Sequence, residues 1–240
     1  MKSEWFQRWF GEAYIALYPH RNAAEAEHAV ELIERTIGDA RVKRVLDLAC
    51  GAGRHSEMLA NRWPTTGLDL SEVLLRLAKQ ENTDAGYVRG DMRVLPFHNG
   101  AFELVVNLFT SFGYFEDDES HQRVVREVAR VTAKYGIFVL DFLNTTELRR
   151  NLVAYDEQDI GGQIVEQRRE ISDDDRFAIK RICVRNTGKE FTERVRLFET
   201  ADLSGMMGTA GFDVIASYGN YDAAPLTPNS PRVILFGRKR

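Results

Sequence analysis

Between residues 3 and 18 the aromatic side chains of Phe6, Phe10, Tyr14 and Tyr18 recur at i, i+4 spacing, which predicts one amphipathic helix ended by Pro19. Residues 23–37 predict a second helix with Gly38 as its C-cap. From Val42 to about Asp141 short apolar runs then alternate with helical stripes. The runs ending near Leu48, Leu70, Met92 and Phe109 read as strands, and the almost unbroken apolar character of residues 102–109 is that of a parallel strand covered on both faces. Ser71 is placed to N-cap the helix that begins at Glu72, and Val124, Val128 and Val131 give the helix after the fourth strand an apolar stripe. Strands joined by helices in this way predict a parallel sheet with crossover connections.

After Asn144 the pattern changes. Residues 164–171, 177–184 and 191–198 alternate apolar and polar positions, with turn residues at Ser172–Asp175 and Asn186–Lys189 between them, so an antiparallel meander is predicted. Its apolar face, read as Phe177, Ile179 and Cys183, is expected to cover the mouth of a site or to pair with a second copy in a homodimer. A helix over 201–210 and strands over 212–218 and 232–237 return to the main sheet. The expected divisions are 1–38, an N-terminal helical lid; 39–145, an α/β core; 146–199, an antiparallel insertion; and 200–240, the return to the core.

Composition narrows the class without naming a function. The chain has 240 residues, of which 44% are hydrophobic, enough for a substantial core. A net charge of −4 argues against a partner bound mainly through phosphate neutralisation, so nucleic acid is not expected. The two cysteines, Cys50 and Cys183, form no C-x-x-C pair, and the five histidines show no metal-binding spacing, so no metal is expected. No membrane span or signal peptide is read from the apolar runs, and a cytoplasmic location is expected.

The candidate chemistry lies in the run from Val45 to Ser56, where an apolar strand leads through Asp47 into the turn of Gly51 and Gly53 and then a helix. Glycine takes positive φ freely and lets the backbone approach a ligand closely. A carboxylate, Asp69, ends the second strand at the position where cofactor-binding α/β folds keep the acid that grips ribose hydroxyls. Asp91 ends the third strand, so several strand ends converge on one edge of the sheet.

Five pieces together, Asp47-x-x-x-Gly51-x-Gly53, Leu68–Ser71, Gly90–Phe97, Val105–Phe109 and Tyr135–Asp141, resemble the class I S-adenosylmethionine (SAM)-dependent methyltransferases over about residues 40–145. The chain departs from the pattern at Lys134-Tyr135-Gly136, where relatives often carry Pro-Gly-Gly. The resemblance implies an α/β, doubly wound, Rossmann-like fold with a mostly parallel seven-stranded sheet and an antiparallel β insertion late in the chain. It also implies SAM as cofactor and in-line transfer of the sulfonium methyl group.

By the same resemblance, Ala49, Gly51 and Gly53 form the loop over the methionine part of SAM, and Asp47 contacts its amino end. Asp69 accepts the ribose hydroxyls. Leu70, Asp91 and Met92 surround the adenine, while Asn107 and Leu108 line the sulfonium side. Small-molecule amino-sugar N-methyltransferases have a comparable aromatic lid and insertion, which makes Tyr14 a candidate catalytic residue, and His55, which opens the helix after the glycine loop where it can face the cofactor, is a second. Tyr18, Phe109, Phe112, Tyr114 and Tyr221 are the candidate acceptor pocket, with a small-molecule nitrogen or oxygen as acceptor. Three alternatives stay open: an RNA or protein methyltransferase of this fold, a non-catalytic SAM-binding protein, and a nicotinamide dehydrogenase. The last would want Gly or Ala where this chain has Ser56.

Overall fold

The apolar runs become the middle of a seven-stranded sheet in the computed structural model, which describes residues 4–18, 23–38, 40–81 and 84–240. The chain begins with helices α1 (Trp5–Trp9), α2 (Glu12–Leu17) and α3 (Ala23–Ile37), the last closed by Gly38 at φ 55°. Then follow β1 (Val45–Leu48), α4 (Arg54–Ala60), β2 (Thr65–Asp69), α5 (Glu72–Glu81), β3 (Gly86–Arg89), β4 (Phe102–Asn107), α6 (Asp118–Val131) and β5 (Thr132–Leu143). Helix α7 (Thr145–Asn151) leads into β6 (Tyr155–Ile160), β7 (Gln163–Ile171), β8 (Phe177–Val184) and β9 (Lys189–Arg196). Helix α8 (Thr200–Thr209) and strands β10 (Phe212–Tyr218) and β11 (Arg232–Lys239) complete it.

Across the large sheet the order is β10-β11-β5-β4-β1-β2-β3. Strands β1 to β5 pair in parallel, and β11 alone runs against its neighbours β5 and β10. The fold is therefore the mostly parallel, Rossmann-like α/β arrangement expected from the sequence. Because β1 lies between β2 and β4, the chain reverses its direction of travel there, and the carboxyl ends of those strands open a crevice. Alternation along β4 explains the two cores. Leu104 and Val106 pack with Val30, Ile33 and Leu59 of α3 and α4, while Val105 packs with Val124 and Val128 of α6 and with Leu203 of α8.

The second sheet, β6-β7-β8-β9, is antiparallel throughout. Two of its features escape the hydrophobic pattern. Strand β6 is a polar, mostly exposed edge, so it carries no apolar alternation. Helix α7 is seven residues long and is started by Asn144, whose side chain accepts the Thr146 N–H at 3.1 Å. The packed face of this sheet also differs from expectation. Val165, Ile182 and Val184 meet Trp9, Tyr14 and Leu17, whereas Ile179 and Cys183 point the other way and Phe177 is buried beneath Arg194, 3.6 Å from its ring centroid. The inner face reads as mixed because Lys180 and Glu193 lie on it, bonded to the N-terminal helices.

The single N-terminal helix expected over 3–18 is two. Gly11, with extended backbone at φ −150° and ψ −153°, separates α1 from α2. A glycine interrupts a helix at low cost, and the break lets the aromatic side chains serve two surfaces. Phe6 meets Phe115 on the core, and Trp9 meets Phe191 of β9 at 4.6 Å while donating its indole N–H to Glu193 at 2.8 Å. Pro19 lies outside the described residues.

Trp9 is 2% exposed and joins these helices to the second sheet. Trp9→Ala is expected to remove about 3–5 kcal/mol of packing and to speed limited proteolysis within residues 4–18. Trp9→Phe, which keeps a ring and loses the indole donor, should stay close to the parent, and equal protection of all three forms would refute this docking role.

Candidate active site

Strand β1 ends in a loop with left-handed backbone at Ala49 (φ 59°), Gly51 (φ 58°) and Gly53 (φ 85°). Gly53 precedes α4, and a Cβ there would stand 2.7 Å from the Tyr87 hydroxyl and 2.9 Å from Ala78 Cβ. Both its conformation and its packing on β3 and α5 thus require glycine. Asp69, at the end of β2, holds the loop in place: Oδ2 accepts the Gly51 N–H at 2.9 Å, and Oδ1 accepts the Ser71 N–H at 2.8 Å. Burial raises the pKa of Asp69 even so, and the backbone donors oppose that rise.

Asp47, 2% exposed, accepts the Ser56 hydroxyl at 2.6 Å. Burial first, and then the neighbouring charge of Asp69, push its pKa up from 3.8 to about 6. Asp91 behaves oppositely. Burial alone would raise it, but Arg93, paired at 2.6 Å, holds it below the usual carboxylate range. The same guanidinium reaches Glu4 at 2.8 Å and ties the third strand end to the residue before α1.

These groups surround one cavity of about 320 Å³. Asp47, Ala49, Gly51, Asp69, Leu70, Asp91, Met92 and Leu108 line it, as do Tyr14, Tyr18, His55, Phe109 and Tyr114. The N-terminal helices supply one wall through Phe6, Phe10, Tyr14, Ile15 and Tyr18. Four expected residues stand outside the lining. Gly53 packs beneath the loop. Asn107 is 1% exposed and donates to the Leu48 carbonyl at 2.9 Å, bracing β4 against β1. Phe112 lies in the aromatic core beside His121, Phe142 and Phe198. Tyr221 donates its hydroxyl to Asp141 at 2.6 Å, behind the wall formed by Phe109. For the last three, strand or loop direction turns the side chain away from the cavity, a matter that proximity in sequence does not decide.

Arg54 and Glu81 also line the cavity without having been expected there, and Ser111 and Phe115 join them from the segment 109–115 after the fourth strand, some of whose residues are expected from the sequence to wall the acceptor pocket. Arg54 follows the last loop glycine and stacks its guanidinium 4.2 Å from the Phe109 centroid, so the motif itself held a signal for it. For Glu81 the sequence held none. The lining combines four carboxylates, Asp47, Asp69, Glu81 and Asp91, with a single arginine and an aromatic wall, a surface complementary to a cationic ligand.

Residues 45–136 match a family model described as a methyltransferase domain. Over that segment the chain is similar to methyltransferase domains. An N,N-dimethyltransferase of Streptomyces venezuelae, named for dTDP-3-amino-3,4,6-trideoxy-α-D-glucopyranose, is 35% identical to the chain over 121 residues, covering 50% of this chain and 49% of the relative. The chain spans about half the length or less of the curated relatives it matches, from 41% to 49% for three of them. Solved structures extend the likeness of fold beyond this segment. A SAM-dependent methyltransferase from Clostridium acetobutylicum superposes with a TM-score of 0.80 at 18% identity, covering 95% of this chain and 96% of the other. The sugar N-methyltransferase KedS8 from a Streptoalloteichus species gives 0.72 at 24% identity, covering 96% and 94%.

The raised pKa of Asp47 carries a stability cost. Between the unfolded value near 3.8 and the folded value near 6 the native state binds more protons, so stability falls as pH rises through that window. Asp47→Asn keeps an acceptor for Ser56 and removes the buried charge. It is expected to raise unfolding free energy at neutral pH by about 3 kcal/mol, at ~1.4 kcal/mol per pKa unit, with the gain vanishing towards pH 4. Urea titrations at both pH values check this, and a variant destabilised at neutral pH would refute it.

Proposed function

We propose that the chain is a SAM-dependent methyltransferase acting on a nitrogen or oxygen of a small molecule. The observation that carries this reading is the acid-rich cavity at the end of β1, β2 and β3, roofed by an aromatic helix pair. The residues fit the cofactor. The left-handed backbone at Gly51 leaves the loop edge open to close approach, Asp69 faces the cavity with acceptor lone pairs beyond its two backbone donors, and the carboxylates complement a ligand with sulfonium and ammonium charges. A volume near 320 Å³ suits a metabolite-sized ligand.

When bound, SAM supplies an activated methyl group for displacement by a nucleophile. The chain's own task is placement, since in-line attack gains most from a nucleophile held about 3 Å from the methyl carbon in a water-poor site. Asp69 would hold the ribose hydroxyls, Asp47 the amino end, and Leu70, Asp91 and Met92 the adenine. Leu108 and Phe109 then flank the reacting side. Tyr14, 8% exposed, and His55, 6% exposed, are the cavity residues able to orient an acceptor hydrogen or receive its proton. Residues 4–18 act as the lid in this reading, with the second sheet as its support.

A small acceptor is favoured over RNA by the pairing of the basic residues. Arg149 bonds Asp175 and Glu199, Arg169 bonds Asp156, and Lys180 and Arg181 bond Glu193 and Glu170, so these basic residues present little net positive field. The amino-sugar relatives point the same way.

Calorimetry should show that SAM and its demethylated product bind while NAD does not, and Asp69→Ala should weaken SAM at least several-fold, a charged acceptor being worth about 1.5–3 kcal/mol per hydrogen bond. With isotopically labelled SAM and cell extract, label should appear in the low-molecular-weight fraction. Unchanged SAM affinity in Asp69→Ala would remove the ribose assignment, and label found only in RNA or protein would remove the small acceptor.

A further inference from the structure

The cavity wall formed by Phe109, Ser111 and Tyr114 is held by a buried polar cluster that does not itself reach the cavity. Directly after β4, Phe109 and Thr110 both adopt left-handed backbone, with φ of 57° and 60°. Two consecutive non-glycine residues in that region persist only where their surroundings impose it. Here the imposing group is Asp141, fully buried on β5. Its Oδ2 accepts the Phe109 N–H at 2.7 Å and the Tyr221 hydroxyl at 2.6 Å, and its Oδ1 accepts Nε–H of Arg232 at 2.5 Å. The backbone carbonyl of Asp141 accepts the Thr110 N–H at 3.1 Å.

Arg232 closes the arrangement. Its Nη2 donates to Thr110 Oγ1 at 3.2 Å, and its guanidinium lies 5.1 Å from the Phe109 centroid, on a ring that Arg54 also approaches. The carbonyl of Thr110 in turn accepts the Tyr114 hydroxyl at 2.9 Å. One carboxylate, one guanidinium and one phenol thereby set a strained peptide, and through it the side chains that face the cavity. A buried ion pair is a weak source of stability, because desolvation of both charges offsets their attraction. What this one supplies is a fixed position for the wall.

We propose that Asp141, Arg232 and Tyr221 are positioning residues for the acceptor side of the methyl-transfer site. They touch neither reactant and hold the segment from Phe109 to Tyr114 where an acceptor meets the methyl group. The functional half of this inference rests on the methyltransferase reading above. In-line displacement is sensitive to placement, a misplacement of about 1 Å costing on the order of a hundred-fold in rate.

Tyr221→Phe tests it with little change of volume. In the free protein, amide exchange over residues 108–115 should quicken about ten-fold while β4 and β5 keep their protection, since a lost donor loosens the loop locally. Affinity for S-adenosylhomocysteine, measured by calorimetry, should stay within about two-fold because the Asp69 side is untouched. Turnover of labelled SAM against a titrated low-molecular-weight cell extract should fall about ten-fold or more at saturating SAM. Arg232→Lys, which keeps the charge, should retain more turnover than Arg232→Met. Unchanged exchange at 108–115, unchanged turnover, or exchange protection across the chain, melting temperature and S-adenosylhomocysteine affinity all falling together, would overturn the positioning role. Failure of the parent protein to bind S-adenosylhomocysteine would instead remove the methyltransferase reading, and the exchange measurement would still decide whether the cluster holds the wall.

Discussion

The carboxylate of Asp69 joins the end of β2 to the loop that leaves β1. One oxygen takes the Gly51 N–H and the other the Ser71 N–H, so a single side chain sets both the glycine turn and the start of α5. The geometry of the cavity follows from that bridge. With the loop held, Asp47 stays buried against Ser56, Gly53 packs under Tyr87, and α4 leaves at an angle that brings Arg54 and His55 to the cavity edge. The carboxylate that a ligand's hydroxyls would meet is already part of the backbone's own hydrogen bonding, which makes the site preorganised.

Around this bridge the protein keeps several features that a stability-only design would avoid. Asp47 is charged at neutral pH although its burial opposes charge. Cys50 sits beside it, its thiol pushed well above the ordinary range by burial and by the two aspartates, and so remains an inert, protonated wall. Phe109 and Thr110 keep left-handed backbone, at a cost of about 1–2 kcal/mol each. These costs concentrate within one cavity and its support, the pattern expected where function competes with stability.

The roof comes from elsewhere in the chain. Helices α1 and α2 carry the aromatic wall, and they are held by the second sheet through Trp9 on Phe191, Trp9 on Glu193, and Lys180 bonded to Tyr18. Glu4 adds a charged tie through Arg93 to the same carboxylate that ends the region of β3, Asp91. The N-terminal helices, the second sheet and the acid-bearing strand ends therefore meet through a few long-range contacts, and the aromatic wall depends on the second sheet even though no residue of that sheet lines the cavity.

Much of the fold was legible because its signals are local. Strand β4 needs a continuous apolar run to be covered on both faces, helices α3 and α5 announce themselves by Gly38 and Ser71, and β7 and β8 end where their turn residues stand. The glycine loop and the acids at Asp47, Asp69 and Asp91 were legible for the same reason, since each sits at a strand end that periodicity locates. Other features depend on partners distant in sequence. Whether Tyr221 reaches the cavity or turns to Asp141 is decided by the pairing of β11 with β5, which places Arg232 beside them. The break at Gly11, the polar edge β6 and the choice of inner face on β8 are likewise set by what each segment packs against. Sequence determined which residues could carry the chemistry, through periodicity and residue type; the tertiary structure alone decided which of them face one another, because burial and hydrogen bonding are satisfied between strands and helices that sequence spacing does not relate.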